Sequence, residues 1–216
     1  IRVLRYEGSF NFSAINNFGA AHAKGDYLLL LNNDTEMIHG DCLRQLLGPC
    51  QRPEVGITGA LLYYGDDTIQ HAGVVLGFGG IAGHAFIGEK RGDNGYFSRI
   101  ICRQDYSAVT AACLMVKTSV YREVGGMSED LRVAFNDIDF CMKVRKAGYL
   151  VVYNPGAELY HFESKSRGLE NTQEKIERFN GEIAQFLARW GEDIKAGDPY
   201  YNPNLSLDKA DFSLRL

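Results

Sequence analysis

Asn32, Asn33 and Asp34 form a polar cluster at the end of a short apolar run, residues 26–31. Two oxygen-bearing side chains, two residues apart after a buried strand, can point the same way and share one hard cation. Mg²⁺ and Mn²⁺ prefer carboxylate, carbonyl and water oxygens, and they usually complete their shell with substrate phosphates. The same residues also fit an ordinary turn in which an Asn or Asp side chain caps the strand. The spacing alone leaves both hypotheses open.

Asp137 and Asp139 lie two residues apart at the expected start of a helix, between Phe135 and Phe140. Acids in the first turn of a helix complement its dipole, which is a purely structural role. A carboxylate held in a partly apolar wall is also a candidate general base. The local sequence supports the two interpretations about equally.

His161 is followed by a short loop that carries hydroxyl, ammonium and guanidinium donors: Ser164, Lys165, Ser166 and Arg167. A single histidine after a strand is most often a structural residue. The donors that follow it suit a diphosphate, since lysine supplies a point charge and arginine a planar fork. The segment therefore predicts a diphosphate site with His161 at its edge.

The elements that must position these residues alternate between helix and strand patterns. Ser13 predicts the N-cap of a helix at 14–24. Apolar runs at 26–31 and 55–62 predict strands buried on both faces, with a helix at 41–50 between them. Further strands are expected at 114–117 and 150–153, and further helices at 119–124, 138–147 and 170–190. This alternation predicts an α/β domain with a mostly parallel sheet, in which ligands bind beyond the carboxyl ends of the strands.

The two ends of the chain carry expectations of their own. Residues 1–4 predict a strand inside a fold, and the chain has no initiator Met. We therefore interpret it as part of a longer protein whose first strand and helix lie upstream. Residues 1–195 are predicted to form the domain, and residues 196–216 a polar C-terminal tail.

The composition is that of a globular domain, with 45% hydrophobic and 23% charged residues, and it excludes disordered and fibrous classes. A net charge of −4 argues against a nucleic-acid partner. The 5 cysteines include no C-x-x-C pair, so reduced thiols in a cytoplasmic enzyme are expected. No apolar run approaches the roughly 18 residues of a membrane span. We expect the protein in the cytoplasm or peripherally at the inner face of the membrane.

Taken in order, these motifs resemble a family 2 glycosyltransferase of the GT-A type. The similarity is to the bacterial branch that builds surface polysaccharides and includes rhamnosyltransferase-like enzymes. It extends from residue 1 to about residue 167. The segments that carry it are Asn16-Asn17-Phe18-Gly19, Gly25-Asp26-Tyr27-Leu28, Leu31-Asn32-Asn33-Asp34-Thr35-Glu36, Thr110-Ala111-Ala112-Cys113-Leu114-Met115, Gly125-Gly126-Met127, Asn136-Asp137-Ile138-Asp139-Phe140 and His161 with Ser164-Lys165-Ser166-Arg167. The resemblance implies a GT-A-like, Rossmann-type sheet that lacks its first strand and helix.

The resemblance also implies a metal site and a base. Asp34 would bind Mn²⁺ or Mg²⁺, with Asn32 offering a carbonyl oxygen where the family has a first Asp. His161 would join the metal or the diphosphate. Asp137 would be the general base that takes the proton from the acceptor hydroxyl.

Four further residues take supporting roles by the same resemblance. Asn136 replaces the first acid of the family's catalytic Glu-Asp pair. Asp139 would be a second carboxylate that steers the acceptor or supports the fold. Ala111 and Ala112 would lie where the family lines the donor-sugar and acceptor pocket.

The implied function is inverting, metal-dependent transfer of a hexosyl or deoxyhexosyl group from a UDP- or dTDP-sugar to a saccharide or lipid-linked acceptor in polysaccharide synthesis. Without the upstream base-binding unit we expect little activity from this chain alone, and a homodimer through the exposed sheet edge. Asn32 and Asn136 favour one alternative, a catalytically dead carbohydrate-binding or scaffold module of the same fold. A nucleotidyltransferase is the other alternative.

Overall fold

The computed structural model describes residues 2–162 and 172–215. Its strands are β1 (Tyr27–Leu31), β2 (Thr35–Met37), β3 (Val55–Tyr63), β4 (Ile69–His71), β5 (Val74–Leu76), β6 (Ala82–His84), β7 (Gln104–Asp105), β8 (Cys113–Lys117) and β9 (Leu150–His161). Its α-helices are α1 (Phe12–His22), α2 (Cys42–Cys50), α3 (Thr118–Glu123), α4 (Asn136–Lys146) and α5 (Gln173–Ala196). Within these residues, no helix has both the length and the apolar character that crossing a membrane requires.

The main sheet has the strand order β1-β8-β3-β9-β2, with β4 paired to β3 and β7 to β9. Among the described strands only β3 and β9 pair in parallel, so the expectation of a mostly parallel sheet is wrong. Continuous apolar runs indicate strands that are buried on both faces of a sheet, but they do not indicate the direction of those strands. Because β8 is antiparallel to both β1 and β3, the strands β1, β3 and β9 still run the same way. Their carboxyl ends therefore meet at one edge, as predicted.

The sheet is covered on both faces. Its side chains alternate between two apolar clusters, as the period of a strand requires. On one face α2 buries Leu46 among the side chains of β3, β8 and β9. On the other face α4 and α5 bury Phe140, Phe186 and Trp190. This layering confirms the α/β class. It places α2 on one face of the sheet and α4 and α5 on the other.

The N-terminal residues differ from their prediction in two ways. Residues 2–7 form no strand, and Val3 is 88% exposed. Their backbone has no neighbouring strand to pair with in the described chain, so the apolar pattern alone cannot make them one. The N-cap of α1 is Asn11, whose side chain accepts from the Ala14 N–H, whereas Ser13 is buried and donates to the Leu131 carbonyl oxygen.

Residues 198–215, which belong to the expected polar tail at 196–216, pack against the glycine-rich segment at residues 73–95. The Phe212 ring stacks on Phe86 with a centroid distance of 4.4 Å, and Tyr201 and Leu205 are buried. Asp198 Oδ2 accepts a hydrogen bond of 2.7 Å from the Leu76 N–H. The expectation was wrong because these apolar residues are scattered among polar ones and show no local period.

Candidate active site

The residues expected to bind a metal meet at one edge of the sheet. Asn32 follows β1, and β2 pairs with the end of β9, which places Asp34 beside His161. Asn32 Nδ2 lies 3.2 Å from His161 Nε2, and Asp34 Oδ1 lies 3.2 Å from the same nitrogen. The structure thus brings together three side chains that are up to 129 residues apart in sequence. We call Asn32, Asp34 and His161 the metal corner.

Gln70 of β4 orients the histidine and was not suggested by the sequence. Its Nε2 donates to the His161 carbonyl oxygen at 3.3 Å, which turns its Oε1 toward His161 Nδ1 at 2.6 Å. Because a carbonyl oxygen only accepts, Nδ1 carries a ring proton, and the Asn32 Nδ2 donor at Nε2 matches a neutral ring with its lone pair on that nitrogen. Metal-binding histidines usually have such a partner on the distant nitrogen. No local signal marks Gln70, since the contact spans 91 residues.

One oxygen of the metal corner has no hydrogen-bond donor among residues 2–162 and 172–215. Asp34 Oδ1 is buried and accepts no hydrogen bond from the described part of the chain. A protonated His161 would form an ion pair with it, but Gln70 and Asn32 favour the neutral ring with its lone pair on Nε2. A buried oxygen without a donor costs about 1–3 kcal/mol. A divalent cation would satisfy Asp34 Oδ1. Rotation of the Asn32 amide would then present its carbonyl oxygen, in place of Nδ2, to the same ion, and His161 Nε2 could coordinate it as well. These residues therefore fit Mn²⁺ or Mg²⁺.

The metal corner carries fewer charges than a conventional site. Across residues 2–162 and 172–215, no group of three or more His, Cys, Asp and Glu side chains could hold a metal ion. Here an amide takes the third position, so weak affinity is expected from these side chains alone. The predicted diphosphate loop, Ser164, Lys165, Ser166 and Arg167, lies outside the described residues.

Asp137 lies at the start of α4 and faces the turn before β8. Its Oδ2 accepts from the Ala111 N–H at 3.2 Å, and its Oδ1 accepts from the Ile138 N–H at 2.9 Å. The side chain is only partly buried, and each carboxylate oxygen can accept a second hydrogen bond. Asp137 can therefore also bind a substrate hydroxyl and accept its proton.

The turn before β8 joins Asp137 to the metal corner. The Ala111 N–H binds Asp137, and the Ala112 carbonyl oxygen accepts a hydrogen bond of 3.0 Å from the Asn32 N–H. The two alanines are only 2% and 5% exposed. They contribute main-chain contacts that set the spacing of the two clusters, and little surface toward a bound sugar.

His71 supports the same turn from the interior. It is fully buried, and its Nε2 accepts from the Thr110 N–H at 3.4 Å. Burial lowers the pKa of His71 well below its usual value, so the ring is neutral. Because His71 follows Gln70 in β4, one strand supports both the metal corner and the turn that holds Asp137.

Asp139 and Asn136 have interior positions. Asp139 is fully buried; its Oδ1 accepts from Trp190 Nε1 at 2.9 Å, and its Oδ2 accepts from Ser128 Oγ at 2.6 Å. Residues two apart on a helix face different ways, so Asp139 points into the core while Asp137 faces the turn. Asn136 is also buried and donates to the Val133 carbonyl oxygen at 3.0 Å. Of the two roles considered for Asp139, this geometry favours support of the fold.

Two relatives match almost the whole chain. It is 51% identical over 215 residues to an uncharacterised protein, y4gI, of Sinorhizobium fredii, covering 99% of this chain and 24% of that protein. It is 36% identical over 213 residues to the O-antigen biosynthesis protein RfbC of Myxococcus xanthus, covering 98% of this chain and 16% of that protein. The chain therefore spans about a quarter or less of the length of these relatives.

A solved structure shows the fold, and a sequence profile shows the family. The crystal structure of GalNAc-T7 with UDP, GalNAc and Mn²⁺ superposes with a TM-score of 0.67 over 89% of this chain and 37% of that one. At 13% identity this likeness concerns the fold, and it confirms the expected GT-A architecture. The sequence profile described as glycosyl transferase family 2 matches residues 1–123. With a GT-A fold, and with its polar motifs at the carboxyl edge of the sheet, this chain belongs to glycosyl transferase family 2.

Proposed function

We propose that this domain transfers a sugar from a nucleoside-diphosphate sugar to a saccharide or lipid-linked acceptor in polysaccharide synthesis, with inversion at the anomeric carbon. The observation that carries the proposal is the placement of Asp137 and the metal corner on opposite sides of one short turn, at residues 111 and 112. The RfbC relative, named for O-antigen biosynthesis, supports the choice of pathway class.

The metal corner is the proposed site for the donor diphosphate. Asp34 and His161 would hold Mn²⁺ or Mg²⁺, which when bound neutralises charge that grows on the departing diphosphate. Gln70 keeps the His161 lone pair directed at this site. The loop of Ser164, Lys165, Ser166 and Arg167 is proposed to bind the same diphosphate. A UDP- or dTDP-sugar is the proposed donor.

Asp137 is the proposed general base. The acceptor oxygen bonds to the anomeric carbon while the bond from that carbon to the diphosphate oxygen breaks. The acceptor proton passes to Asp137, and the nucleoside diphosphate leaves from the opposite face of the sugar. Attack and departure on opposite faces invert the anomeric configuration. Because the Ala111 N–H fixes Asp137 Oδ2, the free lone pairs of the carboxylate keep a defined direction.

Calorimetric titration with UDP and with dTDP, each with and without Mn²⁺, tests the donor site directly. The titration is run on the 216-residue chain and on a longer protein that contains it. We expect Mn²⁺-dependent binding to the longer protein, and its loss in Asp34→Ala. Binding that is equally strong without metal, or unaffected by Asp34→Ala, would contradict the proposal.

A binding module without catalytic activity is the second candidate, favoured by the amides at Asn32 and Asn136. In the longer protein, Asp137→Ala separates the two. A transferase loses turnover but keeps Mn²⁺-dependent binding of the nucleotide, whereas a binding module shows no turnover in either form. The family assignment lends no support to the nucleotidyltransferase alternative.

A homodimer through the β1 edge is a further proposal about partners. Among the described strands β1 pairs with β8 alone, and Leu31 at its end is 43% exposed. An unpaired strand edge readily adds a strand from another chain. Light scattering on the 216-residue chain should give the mass of a dimer; a monomer across the accessible concentration range would contradict the proposal.

A second expectation concerns activity. Sugar transfer is assayed with the 216-residue chain and, in parallel, with the longer protein, and we expect the 216-residue chain to show much the lower rate.

A further inference from the structure

Glu182 is a buried carboxylate in the middle of α5 and has no part in the mechanism described so far. It is only 3% exposed. Its Oε1 accepts from the N–H groups of Arg132 and Val133 at 2.8 and 3.0 Å, and its Oε2 accepts from the Ala134 N–H at 2.9 Å. Three consecutive main-chain donors thus converge on one carboxylate. Such charge-assisted hydrogen bonds are among the stronger ones in a protein interior.

Residues 132–134 lead directly into the catalytic end of α4. Phe135, the next residue, has a left-handed backbone with φ of 59°, and α4 begins after it with no side-chain cap. A bulky residue adopts this conformation only where its surroundings impose it. The Phe135 ring stacks between Phe179 and Phe186 of α5, at centroid distances of 5.7 and 5.2 Å. Helix α5 therefore holds both the main chain and the side chain that precede Asp137.

The same helix holds α4 on the far side of Asp137. Trp190 Nε1 and an Arg189 guanidinium nitrogen donate to Asp139 Oδ1 at 2.9 and 3.2 Å. Residues on both sides of Asp137 are thus fixed to α5, while Asp137 itself faces the turn before β8. Anchoring the neighbours in this way leaves the Asp137 carboxylate free for substrate but fixed in position.

We infer that Glu182 is a positioning residue for Asp137, acting through the main chain of residues 132–134. The inference rests on the proposed role of Asp137 as the base. Without the Glu182 carboxylate, the three N–H groups would lose their partners, and the left-handed turn at Phe135 would relax. The start of α4 would then shift, and the Asp137 carboxylate would lose its hydrogen-bond geometry to the acceptor hydroxyl. Donor binding at the metal corner would be unaffected, because Glu182 contacts none of its residues.

The first test is hydrogen–deuterium exchange, which needs no activity. In Glu182→Ala we expect the amides of residues 132–134 to lose protection, because local opening frees them from their only described acceptor. Glu182→Gln keeps Oε1 and should retain part of the protection. Glu192→Gln changes an exposed carboxylate of the same helix and should have no effect. Unchanged protection in Glu182→Ala overturns the inference, whatever the protein's activity.

The second test is steady-state kinetics on the longer protein. Misplacement of a catalytic group by about 1 Å can cost about 100-fold in rate, so kcat should fall by about 10- to 100-fold in Glu182→Ala. The KM for the donor and Mn²⁺-dependent nucleotide binding should stay near their normal values, and Glu182→Gln should restore part of kcat. Leu46→Ala, a core change on the opposite face of the sheet, destabilises the fold and should leave kcat per folded molecule unchanged.

The outcomes separate the inference from the proposed function. Lost protection in Glu182→Ala with a normal kcat overturns the inference and leaves the function standing. A rise in KM equal to the fall in kcat also overturns it, because general loosening would then explain both. If the unmodified longer protein shows no transfer, the proposed function fails and the catalytic part of the inference fails with it. Lost protection, reduced kcat and normal nucleotide binding together support it.

Discussion

The metal corner and the junction of α4 with α5 both contain carboxylate oxygens that are shielded from solvent, but the two regions use them differently. At the junction, both oxygens of Asp139 and both oxygens of Glu182 accept hydrogen bonds from side chains or from the main chain. At the metal corner, Asp34 Oδ1 is buried beside His161 and receives no hydrogen bond from the described residues. The carboxylates of the first region have their hydrogen-bond donors within the protein, whereas Asp34 Oδ1 has the properties of an atom that a ligand completes.

The difference shows how to separate structural from functional acids when both are buried. A buried polar atom without a protein partner costs about 1–3 kcal/mol, so such an atom is a place where a bound water, ion or ligand stabilises the fold. Asp137 is intermediate, since each oxygen accepts one hydrogen bond and keeps capacity for another. An oxygen without a donor among the described residues at Asp34, and partial exposure at Asp137, distinguish the candidate functional acids from Asp139 and Glu182, which are buried and accept hydrogen bonds on both oxygens.

The largest expected effect is that of removing the proposed base. General acid–base catalysis contributes about 100- to 10,000-fold, so Asp137→Ala should lower kcat by about 1,000-fold. Because Asp137 is partly exposed and accepts two main-chain hydrogen bonds from the described part of the chain, the variant should remain folded and bind Mn²⁺ and nucleotide normally. Steady-state kinetics and calorimetry on the longer protein measure both properties. Normal turnover in this variant would remove Asp137 from the mechanism.

Asp139→Ala tests the structural side of the comparison. It leaves the buried donors Trp190 Nε1 and Ser128 Oγ without their acceptor and removes one of the two carboxylates that Arg189 contacts. Unsatisfied buried donors cost about 1–3 kcal/mol each, so we expect a loss of about 3 kcal/mol. Urea unfolding followed by circular dichroism measures the free energy of unfolding. The matched control is Asp130→Ala, which removes the exposed acid that also contacts Arg189 and should cost below about 1 kcal/mol. If the two variants lost the same free energy of unfolding, Asp139 would not be the structural anchor that the comparison makes it.

Gln70→Leu tests how the metal corner is held. Loss of a residue that orients a metal-binding histidine typically lowers metal affinity by about 10- to 100-fold, and we expect about 30-fold here. The affinity for Mn²⁺ in the presence of UDP, measured by calorimetry on the longer protein, is the readout. Gln51→Leu, at an exposed position after α2, serves as the control and should leave the affinity unchanged. An unaltered affinity in Gln70→Leu would show that His161 needs no such support.

Asn32→Asp is expected to change metal affinity less than Gln70→Leu does. It tests directly whether the metal corner is a site that a cation completes. A second carboxylate next to Asp34 adds attraction for a divalent cation, and we expect Mn²⁺ affinity to rise by about tenfold. Without metal, the two like charges should lower the free energy of unfolding by about 1 kcal/mol. Calorimetry and urea unfolding measure the two effects. Weaker metal binding in this variant would place the cation away from Asn32.

Part of the site could be predicted because its residues lie at the ends of recognisable elements. Asn32 and Asp34 follow an apolar strand, Asp137 opens a helix, and His161 ends a strand. Each position follows from local pattern and the rule that ligands lie beyond the carboxyl ends of strands. Glu182 could not be found in this way, because a glutamate inside an amphipathic helix is ordinarily a solvent-exposed residue.

The prediction for Asp139 shows the limit of local reasoning in another way. The sequence identified two carboxylates two residues apart, but their opposite directions depend on the helical geometry. Only the packing of α5 shows that Asp139 binds Trp190 and Arg189, which lie about 50 residues away in the chain. Local spacing suggested a pair of acids with one task, and the tertiary structure separates them into a candidate base and a structural anchor.

By itself the sequence determined the α/β class, the buried strands and the polar clusters at their ends, because these depend on hydrophobic period and on turn residues within a few positions. The tertiary structure alone decided the antiparallel direction of β8, the packing of residues 198–215, and which buried oxygens have partners. Those features depend on contacts between distant segments, such as His161 with Asn32 or Glu182 with residues 132–134. No local period encodes such contacts, because they form only when the sheet brings distant segments together.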